Sequence, residues 1–181
     1  MRVNLLSIDK IAQRLQNEND RSVAIIAASV LELQLEELLS KAMIEHQSVA
    51  EFFKGYGPLS SLSAKASLAL FLGLIPSDVF NDLTYIRKIR NEFAHKHEDI
   101  NFSQPPVSDF VSRLVSEKWL LHCMPLADKP IKPEEADEIR TKPRRAFEIA
   151  ASIVSWQLDI YIESIQRPKP AAIAFQFPPL R

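Results

Sequence analysis

The chain has 181 residues, of which 46% are hydrophobic and 25% are charged, and this length predicts one domain with a short tail. A chain of this size buries enough surface to fold without a disulfide or a metal. Lysine and arginine total 22 against 23 acidic residues, and the net charge of −1 excludes a protein that binds nucleic acid over its whole surface. Cys123 is the only cysteine, which excludes intrachain disulfides and four-cysteine zinc sites.

No targeting or membrane segment is visible. Residues 1–10 lack the apolar region and the small-residue cleavage site of a signal peptide. The longest apolar stretch, residues 23–31, is far shorter than the roughly 20 residues that a membrane span needs. With its single cysteine, the chain is expected to be a soluble cytoplasmic protein that does not contact membranes.

Apolar residues recur at helical spacing through most of the chain. Asp20 is a candidate N-cap, and Gly73 a candidate C-cap. Only three glycines occur, and no span alternates apolar and polar residues long enough to indicate a sheet. The predicted fold is therefore an all-α antiparallel bundle of about six helices. The predicted helices cover residues 7–17, 20–46, 60–73, 76–96, 107–117 and 143–165. The predicted inward residues of the helix over 76–96 are Val79, Leu83, Ile86, Ile89 and Phe93, and those of the last helix are Phe147, Ile149, Ala150, Ile153, Val154, Leu158 and Ile162.

Prolines divide the second half of the chain. Residues 122–142 contain three prolines and an acidic run at 134–138, which predicts an exposed connector. Residues 167–181 contain four prolines and cannot continue a helix. The predicted organisation is one helical-bundle domain over residues 1–166, followed by a proline-rich C-terminal tail.

The segment with the most chemical information is RNEFAH at residues 90–95. Arg90 lies in register with apolar residues at 83, 86 and 93, where a charge is costly unless it is paired or faces a cavity or a partner. Asn91 and His95 are four residues apart and share a helix face. Together these three side chains suit metal-free phosphodiester cleavage, because a histidine can take a proton and an arginine can stabilise the phosphorane.

A purely structural role for the same residues is the alternative. Arg90 could extend its charged end to solvent or pair with an inward Glu32 or Glu36, and His95 could cap the end of its helix. The spacing alone favours this alternative, since an arginine and a histidine five residues apart form a weak pattern. No metal or cofactor is expected, because His95 and His97 point to different sides of a helix and no other ligand stands at metal-binding spacing.

A basic cluster precedes the last predicted helix and consists of Arg140, Lys142, Arg144 and Arg145. These side chains could contact the phosphates of a nucleic acid near a helix start, or they could form a solvated face that balances the acidic run. No helix-turn-helix with a basic recognition helix is present. Direct sequence-specific DNA binding is therefore not expected.

Three segments, residues 57–65, 70–75 and 82–95, resemble the MltR family, which is named for the mannitol operon repressor. This resemblance implies a transcription regulator of the repressor or co-repressor type. The pattern of arginine, asparagine and then alanine-histidine at residues 90–95 is also similar to the signature of HEPN domains. That second resemblance implies a dimerising helical bundle, and in active members a metal-independent endoribonuclease that would use Arg90, Asn91 and His95.

Three functional hypotheses follow. The first is a non-enzymatic MltR-type regulator that acts through a protein partner. The alternative is a HEPN-type endoribonuclease or toxin whose partner is RNA and whose catalytic residues are Arg90 and His95. The third is a dimerisation module that keeps the motif for structure. We expect a homodimer, because residues 23–31 and 66–75 supply more apolar surface than one neighbouring helix covers. The alternative is a monomer in which the last helix and the tail cover this surface.

Overall fold

The structure is a computed structural model, and it describes residues 11, 14–15, 17–96, 100–116, 118 and 133–169. Within these ranges it is built of helices without strands, which confirms the all-α prediction. None of these helices is long and apolar enough to cross a membrane. Most of the predicted helix 7–17 lies outside the described residues. The helices are α1 (Asp20–Ala42), α2 (Val49–Phe52), α3 (Leu62–Phe71), α4 (Ser77–His95), α5 (Val107–Val111), α6 (Pro133–Thr141) and α7 (Pro143–Ser164).

The start of α1 differs from the prediction by one residue. Asn19, rather than Asp20, is the N-cap, and its side chain accepts a hydrogen bond of 2.9 Å from the backbone N–H of Ser22. Asp20 is thereby the first helical residue, and its carboxylate accepts from the backbone N–H of Phe102. The end of α3 also differs from the prediction by one residue. Leu72 is the C-cap, and Gly73 follows it with a φ of 69°, the left-handed conformation that ends many helices.

The core is formed mainly by α1, α4 and α7. Every residue predicted to be inward on the last helix is buried, and a stack of three buried phenylalanines links the helices to the loop after α4. The ring of Phe102 lies 5.0 Å from that of Phe93 in α4 and 4.9 Å from that of Phe147 in α7. Such pairs add to the stability that comes from burying apolar area.

The two longest helices, α1 and α7, run in the same direction. Asp20 and Arg144 form an ion pair of 2.8 Å at their N-terminal ends, and Gln34 donates to Asp159, 2.6 Å away, further along both helices. Helix α4 runs antiparallel to both, since its last turn lies beside the first turn of α1, so the three core helices alternate in direction as the predicted antiparallel bundle requires. The connection over residues 96–142 begins and ends at the same end of the bundle, since both Lys96 and Arg144 contact the first turn of α1.

Part of the predicted connector is helical. Residues 133–141 form α6, a helix that was not predicted; Ile139 in it is only 2% exposed, whereas Asp137, Glu138 and Arg140 are exposed as expected. Pro133 suits the first position of a helix, and Ile139 supplies an apolar anchor for it. The tail over residues 170–181 and most of the remaining connector lie outside the described residues. The domain boundary near residue 166 stays a prediction.

The helix predicted over residues 107–117 is interrupted after Val111, the last residue of α5. The fully buried carboxylate of Asp82 in α4 accepts hydrogen bonds from the backbone N–H groups of Val115 and Ser116, both at 2.8 Å. Burial raises the pKa of Asp82, and the hydrogen bonds from residues 115 and 116 oppose that rise. Asp82 thereby fixes the segment after α5 to the middle of the bundle.

Candidate functional site

All three motif residues lie in the last turns of α4. Arg90 and Asn91 are half-buried, and His95 is the exposed last residue of the helix. The buried stripe of α4 passes through Ile89 and Phe93, so Arg90 lies at its edge rather than in the core. Within the described part of the chain, no hydrogen bond or ion pair joins the three motif side chains to one another or to other residues. The guanidinium of Arg90 is thus available to a ligand or a partner.

The carboxylates considered as partners for Arg90 are bound elsewhere. Glu36 and Glu32 lie 2.9 Å and 3.3 Å from the ammonium group of Lys65 in α3, a residue that is only 3% exposed. His95 is also not the residue that ends the helix, since Lys96 is the C-cap and its N–H donates to the carbonyl of Glu92. The pairing role considered for Arg90 and the capping role considered for His95 are therefore filled by other residues.

Lys65 was not predicted as a site residue, although its position in the sequence places a charge among inward apolar residues. Lys65 lies at helical spacing from Leu62 and Ala69, which places a charge on the inward stripe of α3. This is the same argument that singled out Arg90. Long-range pairing with α1 decides that Lys65 is a structural residue.

The C-terminal end of α4 contacts the first turn of α1. A guanidinium nitrogen of Arg21 donates to the carbonyl of Lys96 at 2.8 Å. Next to this contact, a cleft of about 480 Å³ is lined by Asn19, Asp20, Arg21, Ile100 and Arg144. The first turn of α1 therefore contacts both the end of α4, which carries the motif, and Arg144 of the basic cluster.

Arg144 fastens the start of α7 to the start of α1. Its guanidinium pairs with Asp20 at 2.8 Å and with Glu148 at 2.9 Å, and it donates to the carbonyl of Glu18 at 2.7 Å. Partial burial opposes the charged form, but the hydrogen bonds with Glu148 and Asp20 raise the pKa of Arg144 above its ordinary value. The geometry gives Arg144 a structural task.

Two further members of the basic cluster are also ion-paired. Lys142 lies 2.6 Å from Glu138, whose pKa this hydrogen bond lowers, and Arg145 lies 3.5 Å from Glu148. The fourth member, Arg140, is exposed at the end of α6. Acidic residues therefore neutralise most of the cluster that could have contacted phosphates. Contact with nucleic acid through it stays a prediction.

In the described ranges, no three histidine, cysteine, aspartate or glutamate side chains lie close enough together to hold a metal ion. His97 and Cys123 fall outside these ranges.

Replacing Lys65 by Met should lower the free energy of unfolding by about 1–3 kcal/mol, because Glu32 and Glu36 would face each other without a cation. Both glutamates keep partial contact with water, which moderates the loss. Lys41→Met is the matched control, since its pair with Glu37 is exposed, and it should change stability by less than about 0.5 kcal/mol. Urea unfolding measures both, and equal losses would contradict the assignment.

Comparison with known proteins identifies the family. Residues 7–166 match the MtlR family, described as mannitol repressor, so the chain belongs to the mannitol repressor family. This confirms the resemblance to that family seen in the sequence. The HEPN resemblance of the motif stays a prediction. No curated protein matches the chain in sequence.

Two solved structures share the fold. A possible transcriptional regulator, YggD from Shigella flexneri, has a TM-score of 0.59 at 17% identity, with 83% of this chain and 96% of that chain covered. MtlR in the MtlR–HPr complex from Escherichia coli has a TM-score of 0.52 at 21% identity, with 87% and 97% covered.

Proposed function

We propose that this chain is a cytoplasmic transcription regulator that acts through a protein partner and does not read DNA itself. The observation that carries this proposal is the pairing of the basic cluster, in which Lys142, Arg144 and Arg145 are bound to carboxylates. Membership of the mannitol repressor family supports a regulatory role. The MtlR–HPr complex supports a protein partner, and we extend that kind of interaction to this chain.

The paired charges of the basic cluster are not available to the phosphates of DNA. Affinity for duplex DNA comes largely from cations that neutralise phosphates and release counterions. An arginine such as Arg144 would have to leave Asp20 and Glu148 first, and this exchange would break the ion pair that joins the starts of α7 and α1. With a net charge of −1, the rest of the chain offers no large compensating attraction.

Fluorescence anisotropy with a duplex from the promoter region of the host's mannitol genes tests the absence of direct reading. At about 0.15 M salt, where screening is strong, we expect no saturable binding and no difference from a scrambled duplex of the same length. An Arg140→Gln/Lys142→Gln variant should behave like the wild type. Tight binding of the promoter duplex alone would overturn the proposal.

The geometry of Arg90 favours a second candidate function, a metal-independent endoribonuclease. Its half-buried guanidinium has no ion pair among the described residues, and the exposed His95 lies on the same helix end. Incubating mixed RNA with the protein in EDTA, beside an Arg90→Ala/His95→Ala variant, separates the candidates. A regulator leaves the RNA intact in both samples, whereas cleavage by the wild type alone would establish the nuclease.

We also propose that the protein is a homodimer. The two apolar stretches singled out in the sequence contain Ile25, Phe71 and Leu72, which all remain exposed, and Phe71 is 81% exposed. Burying such side chains across a two-fold axis would stabilise a dimer. Light scattering at micromolar concentration should give twice the chain mass of 20.6 kDa. A monomer mass would exclude the dimer and, with it, a nuclease site composed from two chains.

A further inference from the structure

A second cleft, of about 410 Å³, lies where α5, Lys118 and the junction of α6 and α7 meet. Its floor is apolar and includes Val111, Ile139 and Ala146, all of which are buried. This volume falls within the range of small-molecule sites, which combine an apolar lining with a few polar groups. The cleft is separate from the motif residues of α4.

The polar groups at the rim are two cations and two hydroxyls. Lys118 and Arg140 line the cleft together with Ser108 and Ser112, and no carboxylate belongs to its lining in the described part of the chain. The ammonium of Lys118 donates to the carbonyl of Ser112 at 2.9 Å, which holds this charge at the rim. The cleft is therefore electropositive above an apolar floor.

Arg140 differs from the rest of the basic cluster. Among the described residues it makes neither an ion pair nor a hydrogen bond, whereas Lys142, two residues later, is bound to Glu138. The hydroxyl of Ser112 donates to the carbonyl of Asp109 and keeps its oxygen lone pairs for accepting a ligand hydroxyl. A free guanidinium beside a held ammonium can bind an anion with several oxygens.

We propose that this cleft binds a small organic phosphate monoester. The phosphate lies between Lys118 and Arg140, and the organic part rests on the apolar floor within hydrogen-bonding reach of the serine hydroxyls. A nucleic-acid backbone presents the same phosphate chemistry, but it is an extended chain that needs an open groove of cations. The buried apolar side chains of Val111, Ile139 and Ala146 beneath the two cations favour the small ligand. This inference does not depend on the proposed protein partner.

Isothermal titration with phenyl phosphate, with inorganic phosphate as a second probe, tests the proposal. We expect phenyl phosphate to bind more tightly than inorganic phosphate, because only the ester contacts the apolar floor. Arg140→Gln should weaken phenyl phosphate binding about tenfold, since a charged partner of the phosphate is lost. Because the Arg140 side chain makes no ion pair or hydrogen bond with the other described residues, this variant should fold normally, as circular dichroism can confirm.

The matched control changes cations outside the cleft. Lys54→Gln/Arg167→Gln removes one lysine and one arginine that are exposed elsewhere on the surface, and it should leave the affinity unchanged. Equal weakening in the control, or binding unaffected by Arg140→Gln, would overturn the proposal, as would no binding of phenyl phosphate at millimolar concentration. Tighter binding of a single-stranded RNA 12-mer that Arg140→Gln abolishes would also overturn it in favour of a nucleic-acid site.

Discussion

Replacing Phe147 by Ala should lower the free energy of unfolding by about 3–5 kcal/mol, the largest effect of any single change considered. The ring is fully buried and lies 4.9 Å from the ring of Phe102, which in turn packs on Phe93. Its removal opens a cavity at the point where α7, α4 and the loop after α4 meet. The neighbouring rings belong to different elements and cannot collapse together to fill it.

Phe71→Ala is the matched control for this prediction, because it removes the same side chain from an exposed position in α3. It should change the stability of the isolated chain by less than about 0.5 kcal/mol. Urea unfolding at a concentration that keeps the chain monomeric gives both values. Similar losses in the two variants would show that the phenylalanine stack is not the centre of the core.

Replacing Asp82 by Ala should cost about 2–4 kcal/mol, the second-largest effect. The change leaves the backbone N–H groups of Val115 and Ser116 without the acceptor that each contacts at 2.8 Å. A buried, unsatisfied N–H is expensive, and two would be created together. Asp78→Ala on the same helix is the control, since Asp78 is exposed and its loss should be nearly neutral.

Asp82 also predicts a pH dependence. Because burial raises its folded-state pKa above the unfolded value of about 3.9, the folded state binds a proton more readily than the unfolded state. The stability that this titration contributes is fully present below pH 3.9 and is lost as the pH rises through the folded-state pKa. The stability difference between wild type and Asp82→Asn should therefore shift against the wild type as the pH rises above about 4. A constant difference would contradict the raised pKa.

Helical periodicity predicted most of the fold, because the spacing of apolar residues within one helix shows which face of that helix packs against the core. The apolar stripes of α4 and α7 could be read directly from spacing, and the residues predicted to be inward on both are buried. The direction of α7 relative to α1 could not be read in this way. It depends on the path of the connection over residues 96–142, and spacing within a helix carries no information about that path.

The site residues that the sequence revealed are those whose signal lies within a single helix, and the others depend on contacts between distant segments. Arg90 was found because a charge beside an apolar stripe is visible within a single helix. Lys65 pairs with glutamates that are 29 and 33 residues away in the chain, and Arg144 pairs with Asp20, 124 residues away, as well as with Glu148 in its own helix. Only the packed structure brings the distant partners together. Asp82 is similar, since its partners are backbone N–H groups of a distant segment.

The most direct test of the central claim is an isothermal titration of the chain with HPr from the same organism, in the absence of nucleic acid. If the proposed extension of the MtlR–HPr interaction to this chain holds, HPr should bind saturably with a fixed stoichiometry, and added promoter DNA should not be needed. Binding should be accompanied by a negative heat-capacity change, because apolar surface is buried at the interface. No heat with HPr at about 0.1 mM, together with tight and sequence-specific binding of the promoter duplex, would contradict the account.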